Sequence, residues 1–173
     1  MAQLKTQKTK LDGVLLITPA TMFEDFRGEY VELYNEKTFS EAGIDTKFVE
    51  DDISVSSQHV LRGIHGDRNT AKLVSCLHGK FYLVVVNNSE GHPQYRQWES
   101  FVLSAKNRQQ ILIPAGFGNG HVVLSDVAIF HYKQSSFYNR EGQFTLIWND
   151  PTLNIWWPVK APMVSQRDEN NAG

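Results

Sequence analysis

The chain is predicted to fold as an all-β protein, an antiparallel sandwich or barrel, on three observations. Short runs rich in Val, Ile, Phe, Tyr and Trp recur along its 173 residues. Gly, Pro, Asn and Asp separate them at intervals that suit hairpins rather than βαβ crossovers. No internal repeat, low-complexity linker or change of composition divides the chain, so it reads as one domain over 1–173 with its core at about 14–168.

The elements follow in order. Met1–Lys10 is polar and basic with no apolar signal region behind it, and no segment approaches the roughly 20 apolar residues of a membrane span, so a soluble, cytoplasmic protein is expected. Strands are predicted at Val14–Thr18 and Glu29–Tyr34, then one short helix at Asn35–Ala42, capped by Asn35 and ended by Gly43. Further strands are predicted at Lys47–Val55, Lys72–Leu77, Lys80–Asn87, Gln97–Leu103, Gln109–Ile113, His121–Leu124, Val127–Lys133 and Gln143–Trp148. The single cysteine, Cys76, lies in an apolar run as a small buried hydrophobe; it excludes an intrachain disulfide and suits a reducing compartment. Pro114–His121 has three glycines in eight residues and reads as a tight turn that lets backbone approach a ligand. The tail Asp168–Gly173 reads as frayed, Asp168 itself aside.

Alternation places side chains. In Val127–Lys133, Ala128, Phe130 and Tyr132 share an inward face, and Ile129, His131 and Lys133 share the other. In Leu61–His65 a regular strand would put Arg62 and His65 on opposite faces; a bulge or bend at Gly63 would bring both to one cavity. A net charge of −2 speaks against general nucleic-acid binding. What Leu61–His65 offers, with Lys72 and Tyr132-Lys133 downstream, is a base, cations and a phenol inside a β domain. That set suits an anionic substrate that must lose a carbon-bound proton. Taken singly, Tyr132 is a core tyrosine, Lys72 a solvated strand residue, Asp168 a tail charge, and Arg27 and Arg62 surface residues. Their joint order along the chain carries the functional reading.

Seven segments stand in one register: Phe23–Glu32, Val60–His65, Ala71-Lys-Leu-Val, Pro114–His121, Phe130–Lys133, Trp148–Pro151 and Ser165-Gln-Arg-Asp168. Together they closely resemble the dTDP-4-dehydrorhamnose 3,5-epimerase family of the cupin superfamily, from about Val14 to Asp168. The resemblance implies a cupin or jelly-roll β-barrel with one or two short helices. It also implies a homodimer that shares N-terminal strands across its interface and needs no metal or other cofactor. Family members epimerise nucleoside-diphosphate 4-keto-6-deoxy sugars, in deoxysugar synthesis for surface polysaccharide. Carried over by position, His65 is the base, Asp168 the carboxylate that orients it, Tyr132 the acid across the ring, and Lys72 the cation near the enolate oxygen. Arg62, and Arg27 of the neighbouring subunit, match diphosphate contacts; Tyr30 and Glu32 match positions near the base and nucleoside across the dimer. The chemistry suits these types. An imidazole titrates near working pH, a carboxylate on its second nitrogen fixes the tautomer, and a lysine supplies charge where an oxyanion develops.

The sequence departs from the family pattern in three places. His65 is followed by Gly66-Asp67 rather than an aromatic and glutamine; Gly118-Asn119-Gly120 replaces Ala-His-Gly, with His121 two positions late; and Glu50-Asp51-Asp52 replaces Gln-x-Asn. His65-Gly66-Asp67 and Gly116-Phe117-Gly118-Asn119 resemble a branch that acts on GDP-linked 4-keto-6-deoxy-heptoses, where Glu32, Glu50 or Asp52 would accept from guanine; an acidic surface patch is the plain alternative. Asn119 and His121 are candidate substrate contacts. Three rival functions stay open. A metal cupin would use His65, Asp67 and His121. A 3,4-ketoisomerase would share the base, and a non-catalytic sugar-nucleotide-binding jelly roll would keep the arginines alone.

Overall fold

Two antiparallel sheets face one another and enclose the main core; the structure, a computed structural model, describes residues 4–170. In chain order the elements are β1 (Lys5–Lys8), β2 (Leu15–Thr18), β3 (Met22–Asp25), β4 (Gly28–Val31), α1 (Glu36–Glu41), β5 (Glu50–Ser57), β6 (Leu61–Asp67) and β7 (Lys72–His78). They continue with β8 (Lys80–Asn87), β9 (Trp98–Ser104), β10 (Gln110–Ile113), β11 (Phe117–Val123), β12 (Val127–Gln134), β13 (Gln143–Thr145) and α2 (Gln166–Asn170). A six-stranded sheet runs β1-β2-β10-β7-β12-β5, a five-stranded sheet runs β13-β6-β11-β8-β9, and β3-β4 is a separate hairpin. This is the predicted all-β architecture.

Alternation builds the layers. In β8, Phe81, Leu83 and Val85 point between the sheets with Val74, Ile111, Val123 and Phe130, while Tyr82, Val84 and Val86 point to the outer face. Fully burying one such side chain contributes about 1.5–3 kcal/mol. The outer face of the five-stranded sheet is covered by the returning C-terminal segment, including Trp148, Leu153 and Trp157. The indole N–H groups there are satisfied by backbone: Trp157 donates to the Trp148 carbonyl at 2.8 Å and Trp98 to the Leu153 carbonyl at 2.9 Å. Phe39 of α1, with Tyr34 and Phe48, covers Ile17, Leu73 and Leu112 of the other sheet. Asn35 caps α1 as predicted, its Oδ1 accepting from the Lys37 and Thr38 amides at 3.1 and 3.4 Å.

Several boundaries differ from the sequence reading. The core starts before residue 14, since Leu4 and Leu11 are buried and Lys5–Lys8 pairs with β2. The strand predicted at Glu29–Tyr34 is the second arm of the β3-β4 hairpin. The glycine-rich segment is strand rather than turn from Phe117 onward, because β11 packs so closely on β6: a Cβ at Gly118 or Gly120 would stand 2.8 or 3.0 Å from the Ile64 side chain. The strand predicted at Gln143–Trp148 ends at Thr145. The tail expected to fray is helical through Asn170, and residues 171–173 lie outside the described residues. Cys76 is buried as expected. Among the described residues no helix is long and apolar enough to cross a membrane.

Candidate active site

Strand β6 is irregular where the site begins. Its register on β11 pairs Asn119 with His65 but His121 with Arg62, so two residues of β6, Gly63 and Ile64, oppose the single residue Gly120. Gly63 has φ +106, and a Cβ there would meet the Asn119 carbonyl oxygen at 2.6 Å. The bulge resets the alternation. Arg62 and His65 then face the same cavity of about 580 Å³ between the sheets, as the sequence reading required.

His65 is tied from behind. Its Nε2 lies 2.5 Å from Asp168 Oδ1, and Asp168 Oδ2 accepts from the Gly63 amide at 3.3 Å. A carboxylate only accepts, so Nε2 carries the proton and Nδ1 keeps its lone pair. Asp168 is 4% exposed. Burial pushes its carboxyl up, but the hydrogen bonds from His65, the Gly63 amide and Ser165 outweigh it and hold the group below the usual carboxylate range. The chain reaches this place because Met163 bonds back to β6, accepting from the Leu61 amide and donating to the His59 carbonyl, both at 2.9 Å. Helix α2 then delivers Asp168, whose own amide is held by Ser165 Oγ.

Tyr132 stands on the facing sheet, packed beside Phe130 with ring centroids 5.6 Å apart. Burial, then Asp52, Glu50 and Tyr138, push its phenol up to about 12, so it enters any reaction protonated. Lys72 lies beneath it, Nζ 5.6 Å from the ring centroid and 3.4 Å from Asn119 Oδ1. Burial lowers Lys72 to about 8 while Asp67 and Asp52 pull it back, which leaves it mostly charged at neutral pH. Asn119 lines the cavity. His121 lines it too, but as a neutral wall: it stacks on Phe130 at 4.1 Å and 7°, and burial, with Arg62 and His65 nearby, pushes it down to about 3. Arg62 donates from Nε to Ser56 Oγ at 2.9 Å.

The remaining predicted residues lie elsewhere in this chain. Arg27 is on the β3-β4 hairpin, folded onto Asp25, and Tyr30 beside it is 61% exposed. Glu32 accepts from Asn35 Nδ2 at 3.4 Å. Glu50 and Asp52 share the Gln134 amide and do not line the cavity. Tyr138, Gln143 and Arg167 are among the lining residues that were not anticipated. Arg167 Nη2 donates to Gln143 Oε1 at 3.2 Å and Thr145 Oγ1 at 3.1 Å, joining α2 to β13. Arg167 sits inside the Ser165–Asp168 segment already singled out, and a cation beside the carboxylate was the available signal. Tyr138 lies in a loop with no periodicity to mark it, and Gln143, the first residue of a predicted strand, carries no charge to single it out. Among the described residues no three His, Cys, Asp or Glu side chains converge as metal ligands.

Arg62, Lys72 and Arg167 thus line a cavity whose one lining carboxylate is engaged by His65. It suits an anionic ligand, with a base on one wall and a phenol on the other. Known proteins agree. A sequence model of the family described as dTDP-4-dehydrorhamnose 3,5-epimerase matches residues 8–173. A protein of that description from Shigella flexneri is 40% identical over 94% of this chain and 92% of its own length. One from Pseudomonas aeruginosa is 41% identical over 95% and 93%. Among solved structures, the dTDP-4-dehydrorhamnose 3,5-epimerase of Elizabethkingia anophelis NUHP1 superposes with a TM-score of 0.89 at 41% identity, covering 97% of this chain and 94% of that one. The dTDP-6-deoxy-D-glucose-3,5-epimerase of Legionella pneumophila, in complex with dTDP-4-keto-L-rhamnose, gives 0.91 at 36% identity, covering 96% and 90%.

Proposed function

Since the chain belongs to the dTDP-4-dehydrorhamnose 3,5-epimerase family, we propose that it inverts ring carbons of a nucleoside-diphosphate 4-keto-6-deoxy sugar through an enolate. The observation that carries this is the pairing of His65 with Asp168 on one side of the cavity and Tyr132 on the other. His65 Nδ1 takes a proton from the carbon next to the 4-ketone. That C–H bond breaks, an N–H bond forms, and the electron pair moves onto O4. Asp168 stabilises the imidazolium, and Lys72 sets its charge against the growing oxyanion. The Tyr132 O–H then gives its proton to the opposite face of that carbon; the carbonyl re-forms, and solvent reloads the phenolate and discharges the imidazolium. Arg62 and Arg167 are assigned to the diphosphate, and Asn119, through its amide, to the ketone.

The nucleotide is assigned as dTDP, because the relatives described above carry dTDP in their names. Glu50 already has each oxygen engaged, one by the Gln134 amide and the other by the Tyr138 backbone N–H, and neither Glu50 nor Asp52 lines the cavity. The enzyme is assigned to the cytoplasm, where nucleotide sugars are made. The β3-β4 hairpin is assigned to a partner subunit. Met22, Phe23, Phe26 and Tyr30 on it are exposed, and Arg27 and Tyr30 sit outside their own chain's cavity.

The test is proton NMR in deuterium oxide with dTDP-4-keto-6-deoxyglucose and, separately, a GDP-4-keto-6-deoxy-heptose. Loss of the carbon-3 or carbon-5 signal with the dTDP sugar is expected, and His65→Ala should slow it by on the order of 10²–10⁴ while dTDP still binds. No exchange with either sugar would remove the epimerase reading; exchange only with the GDP sugar would overturn the nucleotide.

A further inference from the structure

Strand β5 carries three acidic residues in succession, and alternation separates them. Asp51 faces outward, where Lys133 Nζ and His131 Nε2 donate to it at 2.6 and 2.8 Å. Glu50 and Asp52 face the other way, and among the described residues neither forms an ion pair with Lys, Arg or His. They share an amide instead. Gln134, 2% exposed, donates from Nε2 to Glu50 Oε1 at 2.7 Å and to Asp52 Oδ2 at 3.1 Å. The β5-β12 register sets Asp52 directly across from Tyr132 and Glu50 across from Gln134. Cross-strand partners are near neighbours, with Cβ atoms about 5 Å apart. The second oxygen of Glu50 accepts from the Tyr138 amide at 3.1 Å, so the same cluster also holds the segment that brings Tyr138 to the cavity.

We infer that Glu50, Gln134 and Asp52 form a positioning device for Tyr132: two carboxylates with no direct ion-pair partner, held in place by one buried amide, fix that phenol as the proton donor of the pair that works across the sugar. The inference rests on the epimerase reading. Its physical content is electrostatic. A phenolate at Tyr132 would face two like charges in a partly dry site, so the neutral form is favoured. Burial acts the same way, and the phenol is pushed up to about 12. A phenol this weak still protonates an enolate carbon, which is far more basic than a phenolate. Afterwards it recovers its proton from water readily, so every turnover begins with Tyr132 loaded. His65, held by Asp168, is thereby left as the group that accepts.

Other charges bear on Tyr132. Lys72 of β7 lies under its ring and opposes the effect, and Tyr138 lies beside it. His65 and Arg62 of β6 and Asp168 of α2 line the same cavity. The device predicts that the β5 carboxylates outweigh the cations among these.

The test is tyrosine ring-carbon NMR over pH on the full chain, with the Tyr132 signal assigned by its absence in Tyr132→Phe. In the parent, Tyr132 should stay phenolic well past pH 10; in Glu50→Gln/Asp52→Asn it should titrate roughly one pH unit earlier, and the high-pH limb of inversion should move with it. An unmoved titration overturns the inference. So does a tenfold or greater loss of dTDP affinity with the titration unmoved, which would make these residues ligand contacts. If a thermal scan shows the double variant unfolded, Asp52→Asn is read by the same criteria. The titration needs no substrate, so failure of the epimerase reading appears separately, as an absence of deuterium exchange in the parent.

Discussion

Lys72 shows what a buried lysine costs the fold. The side chain is 8% exposed, and its amine titrates at about 8 in the folded chain against an ordinary 10.5. The folded state therefore holds this proton less tightly than the unfolded state. Below pH 8 the buried charge opposes folding in full, and the penalty fades as pH rises from about 8 towards 10.5. Lys72→Met is expected to stabilise the fold at pH 7 by up to about 3 kcal/mol, with the gain shrinking as the pH is raised, while deuterium exchange in substrate falls by on the order of 10²–10³. Denaturant melts at neutral and alkaline pH check the first part; a variant less stable than the parent at pH 7 would show that Lys72 is held by its neighbours rather than opposed by its burial. The residue types at this site were legible in the sequence. The tie between Asp168 and His65 joins residues 103 apart in sequence, and nothing local to either predicts a 2.5 Å contact.

At the scale of the element, the bulge in β6 is the device that makes a site out of a strand. Gly63 has to adopt φ +106 and has to admit the Asn119 carbonyl where a Cβ would lie. Gly63→Ala meets both obstacles. It is expected to lower stability by about 1–3 kcal/mol and to lose more activity than the melt accounts for, because Arg62 and His65 no longer face one cavity. Thermal unfolding set against exchange rates measures the two. Parental activity in the Gly63→Ala chain would mean that the bulge is dispensable. The need for a break at Gly63 was readable from alternation, since Arg62 and His65 are three apart. That Gly118 and Gly120 are strand residues was not readable, because glycine signals a turn equally well; the packing of Ile64 against them decides it.

At the scale of the molecule, the β3-β4 hairpin projects Phe26 at 98% exposure and Phe23 at 68%, apolar surface that one chain leaves uncovered. A shared-site dimer predicts complementation. His65→Ala and Arg27→Ala chains, each impaired alone, should regain exchange activity when co-expressed, since the mixed dimer carries one site with both residues intact. Recovery absent from mixed dimers confirmed by mass would place Arg27 outside the site. Sedimentation of the parent chain gives the oligomeric state directly, and a monomer would sink the shared arrangement.

The sequence by itself determined the all-β class, the one capped helix and the inward face of Val127–Lys133, and it singled out His65, Tyr132 and Lys72 as candidate site residues. Each of these follows from local preference, from a period of two, or from segments kept in register over the whole chain. Tertiary structure alone decided that Leu4 and Leu11 belong to the core, that β11 begins at Phe117, that His121 is a neutral stacked wall, and that Arg167, Gln143 and Tyr138 reach the cavity. It also decided that Glu50 and Asp52 are bound up with Gln134 instead of standing free. The reason is common to all of them. Burial, desolvation and hydrogen-bond partnership depend on which strands lie side by side, and strands distant in sequence become neighbours only when the two sheets close.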